Sequence, residues 1–313
     1  MSRYIIGRII QMVPVLFGVL LAVFTLTHLL PGDPVLLMLD VQYTEEEYKE
    51  MQAYLELDKP IPVQFWTYLK GILGGDLGKS IHSEEPVMTM LVRRFPATFY
   101  LAVSAIFFSA LVAIPIGVVS ALKQNTKIDY ASMVAAQMGI SIPIFWLGLM
   151  LILLLSLYLN LLPPGGRGDP PDLIHLLLPA FCLSTPFMAT TARLTRSCML
   201  EVLRENYIVA ARSRGFAEAR IILKHALRNA MIPVVTNLGL QLSRMLGGAL
   251  VIEVVFRWPG IGGLAYDAIM ERDYPVVMGV VILVAVIFIV LNLVVDISYT
   301  FFDPRIKYDT KTS

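Results

Sequence analysis

Six stretches of this chain, 9–30, 97–122, 133–160, 174–192, 231–255 and 276–300, are too long and too apolar to face water. At about 1.5 Å of rise per residue, a helix of about 20 residues crosses the roughly 30 Å hydrocarbon core of a bilayer. Inside that core every backbone amide must find a partner within its own segment or in a closed barrel, and continuous apolar runs of this length select helices. The chain is therefore expected to be an all-α polytopic membrane protein with six transmembrane helices. Composition agrees: 57% hydrophobic residues, 16% charged residues and a mean hydropathy of +0.70 exclude an ordinary soluble domain. A net charge of +1 leaves no overall basic field for nucleic acid, and the charge is instead sorted loop by loop.

That sorting orients the chain. Arg3 and Arg8 precede the first apolar run, which is too long for a signal peptide and ends in Leu30-Pro31-Gly32-Asp33-Pro34 without a small-residue cleavage site. We read 1–30 as a retained first span with its amino terminus inside and His28 as an interfacial side chain. Residues 31–96 carry eleven acidic and six basic side chains, a balance that places this insert outside. Within it, Thr44 and Glu47 form a capping box ahead of a stripe of Tyr48, Met51, Tyr54 and Leu55. A second helix follows Pro62 through Phe65, Trp66 and Leu69, and a third, Pro86 to Phe95, is expected along the membrane interface. Gly74 to Ser80 imitates a phosphate-binding loop, but that pattern requires glycine at 73 and the chain has Leu73, so no nucleotide role follows.

In the remaining core, 97–307, Pro115 and Gly117 interrupt the second span, Lys123 to Asp129 is an inner turn, and Gln137, Ser141 and Pro143 form a polar, kink-prone patch in the third. Leu161 to Asp172 is an outer Pro/Gly turn, and Pro179 and Pro186 punctuate the fourth span. The fifth carries Asn237, Gln241 and Arg244, whose spacings of four and three share one helix face. A central arginine costs about 2.5–3.5 kcal/mol to insert, so Arg244 should meet a cavity or a partner rather than lipid. Two readings stay open: a polar lining of a transport path, or an intramembrane pair with another chain. Gly247 and Gly248 allow close helix approach. Glu253 to Pro275 reads as an outer loop. Asp303, Pro304, Arg305, Lys307 and Lys311 end the chain inside, with 308–313 as a tail.

The long polar interruption in the second half is 193–230. From Arg193 to Arg228 there are eight Lys or Arg against three Asp or Glu, the signature of an inward-facing loop. Glu201 to Arg214 is rich in helix formers, Gly215 suits a left-handed cap, and helical composition resumes from Phe216 to Leu227. A basic loop of this kind can simply contact lipid head groups. Here, however, Asn206-Tyr207-Ile208-Val209-Ala210-Ala211-Arg212-Ser213-Arg214-Gly215, followed by Leu223-Lys224-His225-Ala226-Leu227-Arg228-Asn229, resembles the cytoplasmic EAA loop of ABC importer permeases. The form is that of the dipeptide and oligopeptide subfamily. Val209 stands where the general pattern has Glu, and the later proline is missing, a departure that peptide-type permeases share. Trp258-Pro259-Gly260 and Arg272-Asp273-Tyr274-Pro275 resemble the same subfamily.

The resemblance implies a type I importer permease fold with both termini cytoplasmic, in a prokaryotic cytoplasmic membrane. It implies a coupling helix docked on a partner ATPase, with Glu205, Tyr207, Ala210, Ala211, Arg212, Arg214, Gly215 and Glu218 as coupling residues. Tyr207, Ala210 and Ala211 would form its packing face, and Glu205 or Glu218 the acidic contact. Partners would be a second homologous permease in a heterodimer, two ATP-binding subunits and an extracellular solute-binding protein. ATP and Mg2+ would sit on the ATPase subunits, and this chain would bind no cofactor. Peptides are the expected cargo, with nickel complexes or sugars as alternatives. The rivals from other classes are a membrane enzyme, for which no HExxH or G-x-S-x-G motif occurs, and a channel or secondary transporter, for which central acidic sites and internal repeats are lacking. Cys182 and Cys198 would lie about 24 Å apart on one helix, far beyond disulfide reach.

Overall fold

The computed structural model describes residues 2–29, 35, 43–54, 57–169 and 171–302, with side chains left aside at 2–6, 8, 9, 26–29 and 296–302. Its helices are α1 (Ser2–Leu29), α2 (Glu45–Tyr54), α3 (Ile61–Leu73), α4 (Val87–Leu122), α5 (Lys127–Ser141) and α6 (Ile144–Leu151), which continues as π-helix over Ile152–Tyr158. They continue with α7 (Leu173–Leu203), α8 (Asn206–Ser213), α9 (Glu218–Arg220), a π-helical stretch Ile221–Ala226, α10 (Leu227–Gly248), α11 (Leu250–Val255), α12 (Ile261–Glu271) and α13 (Tyr274–Phe302). The expected turn at Leu30 to Pro34, the side chains of Arg3, Arg8 and His28, and the basic terminus from Asp303 onward lie outside the described residues.

Among the described residues, α4, α7 and Tyr274–Val295 of α13 are long and apolar enough to cross a membrane. A fourth span is reached if α5 and α6 with its π extension, bent by 101°, count as one. Several sequence expectations change here. The interfacial helix foreseen at Pro86 to Phe95 is no separate element, because helix geometry runs unbroken through Pro96 into α4. The third span foreseen at 133–160 is broken: Ile142, forced extended (ψ 126) by the proline after it, leaves the helix, and Pro143 starts the next one. The fourth span does not stop at Ala192, since α7 continues to Leu203 through both of its prolines. Hydroxyls of Ser184 and Thr185 bond the carbonyl of Phe181 just ahead of Pro186 (2.7 and 3.0 Å), supplementing the backbone ladder there. The loop foreseen at 253–275 contains α12.

The chain forms two compact units, 1–96 with 260–289 and 97–259 with 290–313. In the first, α3 lies against α1, with Phe65 edge-on to Phe24 at 5.2 Å and to Phe17 at 5.7 Å. The Thr44–Glu47 capping box is present: the Thr44 N–H donates to Glu47 Oε2 (2.7 Å) and the Glu47 N–H to Thr44 Oγ1 (3.2 Å). Those bonds hold the Glu47 carboxyl below its ordinary pKa. The imitation phosphate loop has a structural role: buried Ser80 donates to Asp273 Oδ2, and His82 Nε2 meets the Glu271 carbonyl at 2.8 Å.

The second unit is organised on α7. Helix α5 packs antiparallel to it: Asp129 meets Arg196 near one end, and a Cβ on Gly139 would stand 3.3 Å from Thr185 Cγ2 near the other. Helix α4 approaches so closely that a Cβ on Gly117 would lie 2.6 Å from the Ala192 carbonyl, so only glycine fits there. Helix α10 joins through a buried polar chain in which Thr191 Oγ1 donates to Gln241 Oε1 (3.2 Å) and faces Ser109 Oγ (3.5 Å). Elsewhere in this unit Phe256, Trp258 and Glu253 are buried together. Thr98 donates to Glu253 Oε1 (2.6 Å), Trp258 Nε1 to the Ala97 carbonyl (2.9 Å), and the Gly166 N–H to the Phe256 carbonyl (2.7 Å).

Candidate functional site

The segment from Glu205 to Gly215 is a short surface helix framed by two chain breaks. Helix α7 ends at Leu203, Arg204 stays near αR and Glu205 turns extended, so α8 starts on a new axis. It ends at Arg214, after which Gly215 takes φ +74, a left-handed position that glycine adopts without a side-chain clash. The helix, glycine turn and further helix read from the sequence are therefore present, with the foreseen 201–214 helix divided at Arg204–Glu205. Beyond Gly215, α9, the π-helical stretch and α10 run on without a break, so the second helix of the loop and the fifth span are one rod.

Two side chains seat α8. Ile208 and Ala211, three apart, enter a buried cluster with Ala121, Cys198, Met199, Ile221, Ala226 and Ala230. Complete burial of Ile208 stabilises this seat by roughly 2 kcal/mol. Asn229 Nδ2 donates to the Tyr207 hydroxyl (2.7 Å), tying α8 sideways to α10. The outward side is left with Tyr207, Val209, Ala210, Arg212 and Arg214 exposed. Ala211 faces the core with 9% of its surface accessible, while Tyr207, Val209 and Ala210 are exposed.

Of the two acids, Glu218 is engaged by Arg212 (2.8 Å) in an exposed pair, a contact contributing about 0–1 kcal/mol. Glu205 is exposed and makes no capping bond to α8. Phe216, 41% exposed, is flanked by the ring of His225 at 6.2 Å and the guanidinium of Arg220 at 5.4 Å. It stands just past the glycine turn as an aromatic knob.

The three polar residues of the fifth span meet different surroundings. Gln241 is buried and bonded to Thr191 through Oε1, with Nε2 unpartnered. Asn237, one turn earlier, is half-buried and its Nδ2 is also unpartnered. Arg244 lies exposed at the margin of the same stripe, and among the described residues it forms no ion pair. The stripe brings two amide groups inward and leaves the guanidinium at the surface.

Sequence reasoning missed the most heavily bonded group of this region. Asp129, 2% exposed, accepts a bidentate pair from Arg196 Nε and NH2 (both 2.7 Å), the Asn125 N–H (3.0 Å) and the Ser120 hydroxyl. Arg196 had counted only as one of the loop's basic charges. The available signal was Asp129 itself, a lone acid in a turn whose other charges are Lys123 and Lys127. Among the described residues, no group of three or more His, Cys, Asp or Glu is placed to hold a metal, and both cysteines are free and buried.

Comparison with known proteins agrees with this architecture. The family described as binding-protein-dependent transport system inner membrane component matches residues 113–308, and its N-terminal companion matches 1–102. The dipeptide transport system permease protein of Escherichia coli is 41% identical, with 98% of this chain and 99% of that protein covered. The oligopeptide transport system permease protein of Bacillus subtilis is 40% identical over 98% and 100% of the two chains. The glutathione transport system permease protein of Pectobacterium atrosepticum is 41% identical at the same coverage. Among solved structures, an inward-facing MetNI methionine ABC transporter chain aligns with a TM-score of 0.56 at 18% identity, covering 69% of this chain and 97% of that one, which is a likeness of fold. A helical unit built on α7, an exposed helix between two chain breaks, and matches that run almost from end to end place this chain in the family of binding-protein-dependent transport system inner membrane components.

Proposed function

We propose that this chain is the permease subunit of an ATP-driven importer of di- or oligopeptides in a prokaryotic cytoplasmic membrane, coupled through α8 to separate ATPase subunits. The observation that carries the coupling role is the build of α8: seated by Ile208 and Ala211, bounded by breaks, and presenting Tyr207, Val209 and Ala210 outward amid Arg212 and Arg214. Such a helix passes force into α7 and α10 through a packed core rather than a slack loop. The chain itself hydrolyses nothing. ATP and Mg2+ belong to two partner ATPases, a second homologous permease completes a heterodimer, and an external binding protein delivers cargo.

In this reading six spans cross the bilayer with both termini inside, and 31–96 lies outside as an insert. Glu205 is the acidic contact to the ATPase, because Glu218 is already engaged by Arg212. Asn237 and Gln241 turn amide groups towards the path, and Arg244 faces a partner chain or a substrate carboxylate. The peptide assignment is supported by the full-length likeness to the dipeptide, oligopeptide and glutathione permease proteins.

The test is copurification from membranes. The chain should bring an ATPase with it, and a Tyr207→Ala, Ala210→Asp, Arg212→Ala variant should insert but lose that ATPase. Retention of the ATPase by this variant overturns the assignment of α8.

A further inference from the structure

We propose that the Asp129–Arg196 pair is a positioning element that makes α5 travel with the coupling helix. The proposal rests on the coupling role given to α8 above. Three observations converge on it.

The first is the pair itself. Arg196 approaches Asp129 through Nε and NH2, both at 2.7 Å, the fork geometry that fixes direction as well as distance. Ser120, at the end of α4, and the Asn125 backbone in the following turn occupy the remaining acceptor positions of the carboxylate. The last turns of α4, the first turn of α5 and the C-terminal part of α7 are thereby fastened at one carboxylate. A carboxylate this buried depends on those donors to offset its loss of water.

The second is its position. Arg196 precedes Cys198 and Met199, which line the cluster that receives Ile208 and Ala211 of α8, and Ala121, also in that cluster, follows Ser120. The carboxylate and the seat of the coupling helix are thus adjacent along both α4 and α7. A displacement of α8 that moves this cluster moves Arg196 and Ser120, and with them Asp129.

The third is what lies at the far end of α5. Beyond the contact of Gly139 with Thr185 and Ala189, helix geometry stops at Ile142 and the chain turns by 101° into α6. The hold on α7 passes through the bend, since just beyond it Cys182 Sγ of α7 donates to the Ile144 carbonyl of α6 (3.4 Å). Arg193, one turn from Arg196, adds a second link to α5 through Gln137 (3.2 Å).

The experiment uses the whole transporter, this chain with its partner subunits, carrying spin labels at Val134 of α5 and Ser213 of α8, two exposed positions. With the natural pair, the label-to-label distance should be the same and narrowly distributed with and without nucleotide. Asp129→Asn and Arg196→Lys should broaden that distribution and raise the ATP consumed per cargo molecule by about tenfold, a coupling loss of ordinary allosteric size. The double variant Asp129→Arg, Arg196→Asp should recover at least part of the narrow distribution. If Asp129→Asn does not assemble, Arg196→Lys, which keeps the charge and loses the fork, answers the question. A distance that changes with nucleotide while the natural pair is intact overturns the proposal, as does unchanged coupling in Arg196→Lys. A natural complex that binds no ATPase would instead overturn the coupling role of α8, which separates the two failures.

Discussion

The clasp formed by Glu253, Phe256, Trp258 and the Gly165–Gly166 turn and the platform formed by α8 belong to the same compact unit and are built on opposite plans. Around Phe256 everything faces inward: Glu253 and Phe256 are completely buried, Trp258 nearly so, and the Gly165–Gly166 turn is pressed onto the Phe256 carbonyl. Helix α8 commits only Ile208 and Ala211 to the interior and displays the rest. A buried polar group without its partner costs about 1–3 kcal/mol, so the clasp tolerates little change. The platform has fewer side chains that a substitution could unseat. The difference separates side chains that hold the fold from side chains left on the surface.

The largest effect that would test this contrast falls on the clasp. A Cβ at Gly165 would stand 2.4 Å from the Phe256 carbonyl oxygen, a backbone atom that cannot swing away. Gly165→Val should cost about 3 kcal/mol or more and lower the amount of folded protein recovered from membranes. Normal yield and thermal stability would mean that the clasp is not a point of support.

Next comes Gly215→Pro. Position 215 sits at φ +74, whereas proline fixes φ near −65°, so the turn after α8 must rearrange while the core cluster stays intact. Insertion should persist, and transport-coupled ATP hydrolysis should fall by about tenfold or more. Coupling at the natural level would erase the distinction between the two regions. Third, Ile208→Ala removes the larger anchor of α8 and should loosen the platform by about 2–4 kcal/mol of local stability, read as faster amide exchange in 206–213 with the clasp unaffected.

The smallest effect belongs to the capping box of α2. Thr44→Ala should speed amide exchange at the start of that helix without altering transport. Acidification should do the same in the natural chain. The bonded species is the Glu47 carboxylate, so its contribution is complete above the ordinary carboxyl pKa and disappears as pH falls through the lowered one.

Apolar runs located most of the helical core, because the length and composition of a run are properties of local sequence. The Thr44 box and the Gly215 turn were legible for the same reason, each being a contact across a few residues. What escaped was long-range. The bonding of Asp129 depends on a side chain 67 positions away, and that of Ser80 on one 193 positions away, so neither leaves a local pattern. Helix ends were misplaced where proline behaved differently according to its neighbours: it broke the chain at Pro143, yet at Pro179 and Pro186 the helix continued. Which side of the eight-residue helix α8 meets the core is likewise a long-range matter, since Ile208 and Ala211 are buried with Cys198 and Met199 of α7.

The central claim is that this chain conducts while separate subunits hydrolyse, and uptake of a labelled dipeptide into proteoliposomes measures it directly. Uptake should require ATP, the partner ATPases and an intact α8, and the purified chain alone should hydrolyse no nucleotide. Full-rate uptake with the ATPase subunits omitted, or nucleotide turnover by the chain alone, would contradict the account.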